Sequence, residues 1–213
     1  MSILIVAFNA PRHLLRLFRS LAQTSGVEYE VVVVDNRSRA ITRLLLHMLA
    51  SIRAINSLTL LDRNTLFAGG VNTALRVSSP HSRYVLLLNP DIEIRDPDWL
   101  RRLLEVHARG ATSLGLVEGG PWPRADGYCF LIDRDLFDGL SADFHWWWGV
   151  TKLQADLLQT GHTVRAVRDH DHLITHAGGG SGPPPRDARG MQTDDATVRD
   201  WFGGSHVAVI DRL

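Results

Sequence analysis

Three apolar runs in the first half of the chain each end in polar residues whose side chains could bind a ligand: Asn9, Asp35-Asn36 and Asn89-Pro90-Asp91. Any one of these could serve only as a helix cap or an Asx turn. The carboxyl ends of parallel strands, however, meet at one edge of a sheet, and ligands collect there. Three such sequences together therefore favour a ligand site.

Asp91 and Glu93 suggest a metal site. Their spacing places both side chains on one side of an extended chain. Carboxylate oxygens suit Mg²⁺ or Mn²⁺, and either ion can neutralise a diphosphate. The same spacing also fits a turn with solvated acids, but the position directly after an apolar run favours the metal.

Several common nucleotide motifs are absent. No G-x-G-x-x-G follows the first apolar run, and no G-x-x-x-x-G-K-[ST] phosphate loop occurs in the chain. A sugar-1-phosphate nucleotidyltransferase would need a glycine-rich loop with Arg or Lys after the first strand, and residues 8–13 do not supply one. The ligand must therefore be bound in another way.

The elements that would position these residues alternate along the first hundred residues. Short apolar runs at 3–7 and 31–34 predict strands buried on both faces, and two further strands are predicted at 57–61 and 84–88. Apolar residues at helical spacing predict helices between them, at 14–21, 41–52, 67–77 and 99–108. This alternation predicts an α/β fold with a doubly wound, mostly parallel sheet.

The second half of the chain has a different pattern. Residues 115–127 are rich in Gly and Pro, and 144–148 form an aromatic cluster. We expect strands at 129–132 and 164–167, helices at 151–160 and 194–202, and a glycine- and proline-rich loop at 178–185.

Composition limits the classes of partner. With 23 basic and 23 acidic residues, the chain lacks the basic excess of a protein that binds nucleic acid by bulk charge. A single cysteine, Cys129, excludes a disulfide framework and an all-cysteine zinc site. No apolar run approaches the length of a membrane span, and the first residues lack a signal-peptide pattern. We therefore expect a cytoplasmic protein with no nucleic-acid partner and no membrane span of its own.

The order and spacing of four motifs, at 6–9, 33–36, 64–72 and 87–91, resemble the GT-A glycosyltransferases, specifically the inverting, family-2-like group. Asn-Pro-Asp is similar to the metal motif of rhamnosyltransferase-type members, where it replaces Asp-x-Asp. Gly161 and the segment 176–181 are similar to the family's closing glycine and its histidine-containing segment. The resemblance implies a GT-A fold. It also implies a metal-dependent enzyme that moves a sugar, with inversion, from a UDP-, dTDP- or GDP-sugar to an acceptor hydroxyl.

The resemblance also implies roles in donor binding. Ala7 and Asn9 would flank the nucleotide base, Asp35 would contact the base or its ribose, and Asn89 would hydrogen-bond the ribose or the donor sugar. A further segment would lie beneath the nucleotide sugar, with its glycines allowing close backbone approach: Phe67, Gly69, Gly70 and Asn72.

For the metal, Mn²⁺ or Mg²⁺, the resemblance implies that Asp91 is a ligand. Glu93 lies just past the motif and is a second candidate. His176 matches a late histidine that reaches the metal or the diphosphate, although a lone histidine is as often structural.

One departure from the family concerns the catalytic base. The family carries an acidic cluster about ten residues before the closing glycine, but the two expected positions hold Val150 and Lys152. Neither side chain can accept the acceptor's proton at neutral pH. Three interpretations stay open: the chain is a catalytically silent sugar-nucleotide-binding or scaffolding protein, Asp143 or Asp126 has become the base, or the chain is an altered form of an active enzyme. In the last case, restoring acids at 150 and 152 should raise the rate.

The aromatic cluster suggests an acceptor site. Adjacent side chains point in different directions, so Trp146, Trp147 and Trp148 cannot all be buried. Aromatic rings can stack on the C–H surface of a sugar, which would place an acceptor here. In an equally good interpretation, some of the three rings belong to the core and the others to a lid over the site. We expect one domain over 1–213, with donor binding in 1–110 and the acceptor side in 111–213. The acceptor, whether a sugar, a small molecule or a protein, and the oligomeric state stay open.

Overall fold

The computed structural model describes residues 1–144, 147–178 and 193–213. Its helices are α1 (Pro11–Leu21), α2 (Ala40–Ser51), α3 (Leu66–Val77), α4 (Trp99–Val106), α5 (Trp147–Gln159) and α6 (Asp195–Phe202). The first six strands are β1 (Ser2–Ala7), β2 (Glu30–Asp35), β3 (Ser57–Leu60), β4 (Tyr84–Leu88), β5 (Ile92–Ile94) and β6 (Gly110–Ser113). The other six are β7 (Leu116–Val117), β8 (Arg124–Ala125), β9 (Cys129–Asp133), β10 (Thr163–Asp169), β11 (Ile174–His176) and β12 (Ala208–Arg212).

Eight of these strands form the central sheet, in the order β12-β10-β6-β9-β4-β1-β2-β3. β1 is parallel to both β2 and β4, with Ala7 opposite Asp35 and Leu4 opposite Leu87. The carboxyl ends of β1, β2 and β4 therefore lie side by side at one edge. This confirms the predicted α/β fold with a mostly parallel sheet.

β9 is the antiparallel member of the sheet. It pairs antiparallel with both β4 and β6, and Leu88 lies opposite Cys129. The segment that leads into β9 consequently lies at the same edge as the carboxyl end of β4. Its apolar run was predicted as a strand, but a run buried on both faces does not reveal its direction.

Helices cover both faces of the sheet. Apolar side chains of α1, α2 and α4 belong to one core cluster, and those of α3, α5 and α6 to the other. Gly70 allows α3 to approach β1 closely, because a Cβ at that position would lie 2.6 Å from Cγ1 of Val6. None of the helices in the described ranges is long and apolar enough to cross a membrane.

The sequence did not predict the shorter strands. β5 and β11 form a two-stranded antiparallel ladder in which His176 lies opposite Ile92. α5 begins at Trp147, four residues before the expected start at 151. Apart from Gly178, the predicted loop at 178–185 lies outside the described residues.

Candidate functional site

Asp35 ends β2 and is fully buried. Both oxygens of its carboxylate accept from the backbone N–H of Ser38 at 3.2 Å. The guanidinium of Arg43, on α2, donates to one of them across 2.8 Å. The structure therefore shows Asp35 fixing the turn between β2 and α2, while its contact with a base or ribose stays a prediction.

Asn9 joins two turns at this edge. Its φ is 51°, in the left-handed region that asparagine tolerates better than most residues. Its backbone N–H donates to Oγ of Ser38 at 2.9 Å, and its Oδ1 accepts from the backbone N–H of Arg39 at 2.8 Å. The turn after β1, which begins at the fully buried Ala7, is thus held against the turn after β2.

Asn36 has a role that the sequence did not reveal. Its Oδ1 accepts from the backbone N–H of Thr65 at 2.7 Å and from the Thr65 hydroxyl at 3.1 Å. Its Nδ2 donates to the carbonyl of Leu66 at 2.8 Å. Leu66 has a φ of 60°, so this one amide holds a strained turn at the start of α3. The only sequence signal was its place after an apolar run.

The segment expected beneath the donor sugar forms part of α3. The side-chain amide of Asn72 donates to the carbonyl of Leu140 at 2.8 Å and accepts from its N–H at 2.7 Å. A Cβ on Gly69 would lie 2.6 Å from Cβ of Thr65, and Phe67 packs partly buried against the core. These are packing roles, and donor binding by the same residues stays a prediction.

Asp91 follows β4 and its side chain is only 8% exposed. Its Oδ1 lies 3.3 Å from Nε2 of His176. Burial alone would raise the pKa of Asp91, but the hydrogen bond and charge of His176, with the charge of His13, outweigh burial and hold it below the ordinary value. Asp91 is therefore an ionised, largely desolvated carboxylate.

Tyr128 supports this pair and was not singled out from the sequence. Its ring stacks on that of His176, with 4.2 Å between centroids, and its hydroxyl shares a 2.6 Å hydrogen bond with Nε2 of His170. Its carbonyl accepts from the backbone N–H of Asn89 at 2.8 Å. Burial raises the pKa of the Tyr128 phenol, so it stays neutral.

The Asp91–His176 pair could hold a divalent cation as two neighbouring ligands, with the ion in place of the proton that joins Nε2 to the carboxylate. Ligands at right angles on bonds of about 2.1 Å lie roughly 3 Å apart, close to the observed 3.3 Å. Glu93 is 46% exposed and lies 3.8 Å from Arg16 instead. Within the described part of the chain, no three His, Cys, Asp or Glu side chains form a metal-binding group. An ion here would therefore need further ligands from a substrate.

The positions expected to hold acids lie on α5. Val150 is buried, and a Cβ on Gly127 would lie 3.1 Å from its Cγ2. Lys152 forms an ion pair with Asp156, and its Nζ lies 6.0 Å from the centre of the Trp201 ring. Neither side chain is a base.

Of the two alternative acids, Asp126 lies near Tyr128: a Cβ on Gly115 would lie 2.5 Å from the Tyr128 hydroxyl and 3.0 Å from Cβ of Asp126. It is half-buried, two residues before Tyr128, and its Oδ1 accepts from the N–H of Gly127 at 2.7 Å. Its backbone is held by Ser113 and Gly115. Asp143 lies in an exposed segment.

The tryptophans differ in exposure. Trp147 is 43% exposed, whereas Trp148 is half-buried, with the guanidinium of Arg124 at 5.5 Å from its ring centre. Trp146 lies outside the described residues. One exposed and one half-buried tryptophan agree with both interpretations made from the sequence, an acceptor-sugar platform and a division between core and lid.

The sequence profile of glycosyl transferase family 2 matches residues 2–140. A search of curated proteins found no match.

Solved structures with a similar fold include a mannosyltransferase, PcManGT from Pyrobaculum calidifontis, in complex with GDP-Man and Mn²⁺. It is 19% identical, with 87% of this chain and 57% of that chain covered and a TM-score of 0.66. Residues 1–349 of S. aureus TarS are 17% identical, with 72% of this chain and 55% of that chain covered and a TM-score of 0.57. TarS was also solved with UDP, at 17% identity over 73% and 55% of the two chains and the same TM-score of 0.57. At these identities the likeness shows the fold, and this chain spans just over half the length of those proteins.

Proposed function

The chain belongs to glycosyl transferase family 2, and from this premise we propose that it transfers a sugar from a nucleotide-diphosphate donor to an acceptor hydroxyl with inversion. The observation that carries the proposal is the Asp91–His176 pair at the carboxyl end of β4. That end adjoins β1, whose following turn is held by Asn9. A site for a diphosphate and its nucleoside along one sheet edge accounts for this arrangement.

In the proposed site the nucleoside lies over the ends of β1 and β2. Ala7, Asn9 and Asp35 border this part, and the hydrogen bonds among the two turns keep it rigid. Asn89 lies beside the donor sugar. The similar structures hold GDP-Man in one case and UDP in another, which supports a nucleotide sugar as donor and leaves UDP-, dTDP- and GDP-sugars as candidates.

Asp91 and His176 would hold the divalent metal, Mn²⁺ or Mg²⁺. Such an ion, when bound, neutralises the diphosphate and makes it a better leaving group. Asp91 suits this role because it is ionised and largely shielded from water. Tyr128 keeps the imidazole in place by stacking on it.

Asp126 is proposed as the general base. The acceptor oxygen forms a bond to the anomeric carbon as the bond to the diphosphate oxygen breaks, and the electron pair leaves with the diphosphate. The carboxylate of Asp126 takes the proton of the acceptor hydroxyl. Support comes from its position two residues before Tyr128, whose own ring stacks on that of His176.

The second candidate is a silent sugar-nucleotide-binding protein on the same fold. Val150 and Lys152, at the positions expected to hold acids, favour it. The two functions differ in turnover: both bind a donor, but only the transferase consumes one.

Donor hydrolysis and calorimetric binding of UDP-, dTDP- and GDP-sugars, with and without Mn²⁺, test the proposal. We expect Asp91→Ala to abolish the Mn²⁺-dependent part of donor affinity. Glu118→Gln, which removes a surface carboxylate paired with Arg168, is the matched control and should change nothing. Unchanged Mn²⁺-dependent affinity in Asp91→Ala would refute the metal assignment.

Asp126→Asn tests the base. We expect donor affinity to be retained and turnover to fall by about 10²- to 10⁴-fold, the usual contribution of a positioned base. Donor binding without turnover in the unsubstituted chain would instead support the silent binder.

A further inference from the structure

The outer face of α2 carries a stripe of exposed apolar side chains. Ile41, Leu44 and Met48 on the helix, with Ile52 directly after its last residue, are 64%, 59%, 59% and 72% exposed. At 3.6 residues per turn these positions fall within an arc of about 80°. The other large apolar side chains exposed to a similar degree in the described ranges lie singly on other elements: Val77, Trp147 and Val209. The stripe is thus a continuous surface, which monomeric soluble domains seldom leave uncovered.

The surroundings of the stripe are basic. Residues 1–27 and 36–61 contain no Asp or Glu. Besides Arg16, which lies 3.8 Å from Glu93, five exposed arginines lie on α1 and around α2: Arg12, Arg19, Arg37, Arg39 and Arg53. None of the five forms an ion pair within the part of the chain that the structure describes.

α1 and α2 lie on the same face of the sheet and contact each other, so the arginines and the apolar stripe form one surface. We name it the α1–α2 face. The third helix on this side, α4, differs: its Arg101 pairs with Asp98 and Glu105. Of the three helices on this side, only α1 and α2 therefore have, on them or beside them, arginines that form no ion pair within the described residues.

An exposed apolar stripe with a basic border is the pattern of an element that lies on an anionic bilayer, where apolar side chains enter the acyl boundary and arginines meet lipid headgroups. A second copy of this chain is a poorer occupant. A twofold contact through the face would set arginines against arginines, at a cost in repulsion.

We propose that the α1–α2 face docks on the surface of a bilayer that contains anionic lipid. The inference goes beyond the transfer reaction, since it concerns where the protein works and does not depend on Asp91, His176 or Asp126. The face is a peripheral contact and needs no membrane-spanning helix.

Cosedimentation with vesicles tests the proposal. We expect the protein to bind phosphatidylcholine vesicles that contain phosphatidylglycerol, to bind pure phosphatidylcholine far more weakly, and to be released by high salt. The double substitution Arg19→Gln with Arg53→Gln should weaken vesicle binding about 30-fold. Each arginine contributes roughly fivefold to affinity at an anionic surface, and the two factors multiply. Leu44→Ser with Met48→Ser should weaken it by at least about tenfold, because the apolar contact is lost.

Matched controls lie elsewhere on the molecule. Val77→Ser removes an exposed apolar side chain from the opposite side of the sheet, and Arg168→Gln removes an arginine that is already paired. Both should bind vesicles like the unsubstituted chain. All the changed side chains are exposed or half-exposed, so we expect every variant to keep the thermal unfolding midpoint of the unsubstituted chain. Measuring that midpoint checks that a loss of vesicle binding does not come from unfolding.

Three results would overturn the proposal. They are no binding to phosphatidylglycerol vesicles, equal binding to neutral vesicles, or a concentration-dependent dimer that Leu44→Ser with Met48→Ser dissociates. The last would assign the face to a second copy. Donor hydrolysis, measured in the same preparations, separates a failure of this inference from a failure of the proposed function. If the unsubstituted chain hydrolyses a donor but does not bind the vesicles, only the docking proposal is contradicted.

Discussion

Replacing Asn36 by alanine tests whether one buried amide holds the start of α3. Asn36 is 3% exposed and makes three hydrogen bonds to Thr65 and Leu66. Asn36→Ala removes all three and leaves the carbonyl of Leu66 and the N–H of Thr65 without their partners. Leu66, at a φ of 60°, then loses the contact that keeps it in a strained conformation.

The expected loss follows from the hydrogen bonds. At about 1 kcal/mol for each one, the free energy of unfolding should fall by roughly 3 kcal/mol. The comparison is Asn64→Ala: Asn64 also holds this turn, but through one exposed bond from the N–H of Leu66 to its Oδ1. That variant should lose at most about 1 kcal/mol.

Urea unfolding measures both losses, and amide hydrogen exchange at Thr65 reports on the turn itself. We expect faster exchange at Thr65 in Asn36→Ala, together with weaker donor binding, because α3 leads out of the proposed donor site. A loss no larger than that of Asn64→Ala, with exchange at Thr65 unchanged, would refute the reasoning.

Three further predictions concern packing and pH. Gly70→Ala places a methyl 2.6 Å from Cγ1 of Val6 and should lower the free energy of unfolding by about 1–3 kcal/mol, whereas Gly119→Ala, with nothing within 4 Å, should not. Val150→Asp should destabilise the fold by several kcal/mol in urea unfolding, because it buries a carboxylate against Gly127, and an unchanged free energy of unfolding would contradict this. Burial lowers the pKa of His107 below its ordinary 6.5, although Asp133 opposes the shift. The unfolded chain therefore takes up the proton first, so stability should fall as the pH drops below about 6.5, and His107→Gln should flatten that part of the pH profile.

The sequence alone determined the frame of this protein. The apolar runs at 3–7, 31–34 and 84–88 are buried on both faces, so composition and length identify them as strands without tertiary information. Their polar ends marked the edge at which Asn9, Asp35 and Asp91 lie. Four motifs in order then indicated the family, which the profile match confirmed.

Only the tertiary structure decided which groups meet. His176 lies far from Asp91 in sequence, and β5 and β11, each three residues long, are too short to give a pattern, yet their pairing brings the two side chains to 3.3 Å. The antiparallel entry of β9 places Tyr128 beside them, and strand direction leaves no trace in an apolar run. The sequence around Asn36 is that of an ordinary turn asparagine. Its particular role comes from hydrogen bonds to Thr65 and Leu66, which only the folded chain brings to it. Hydrogen bonds and contacts of this kind join segments distant along the chain, and local residue patterns carry no record of them.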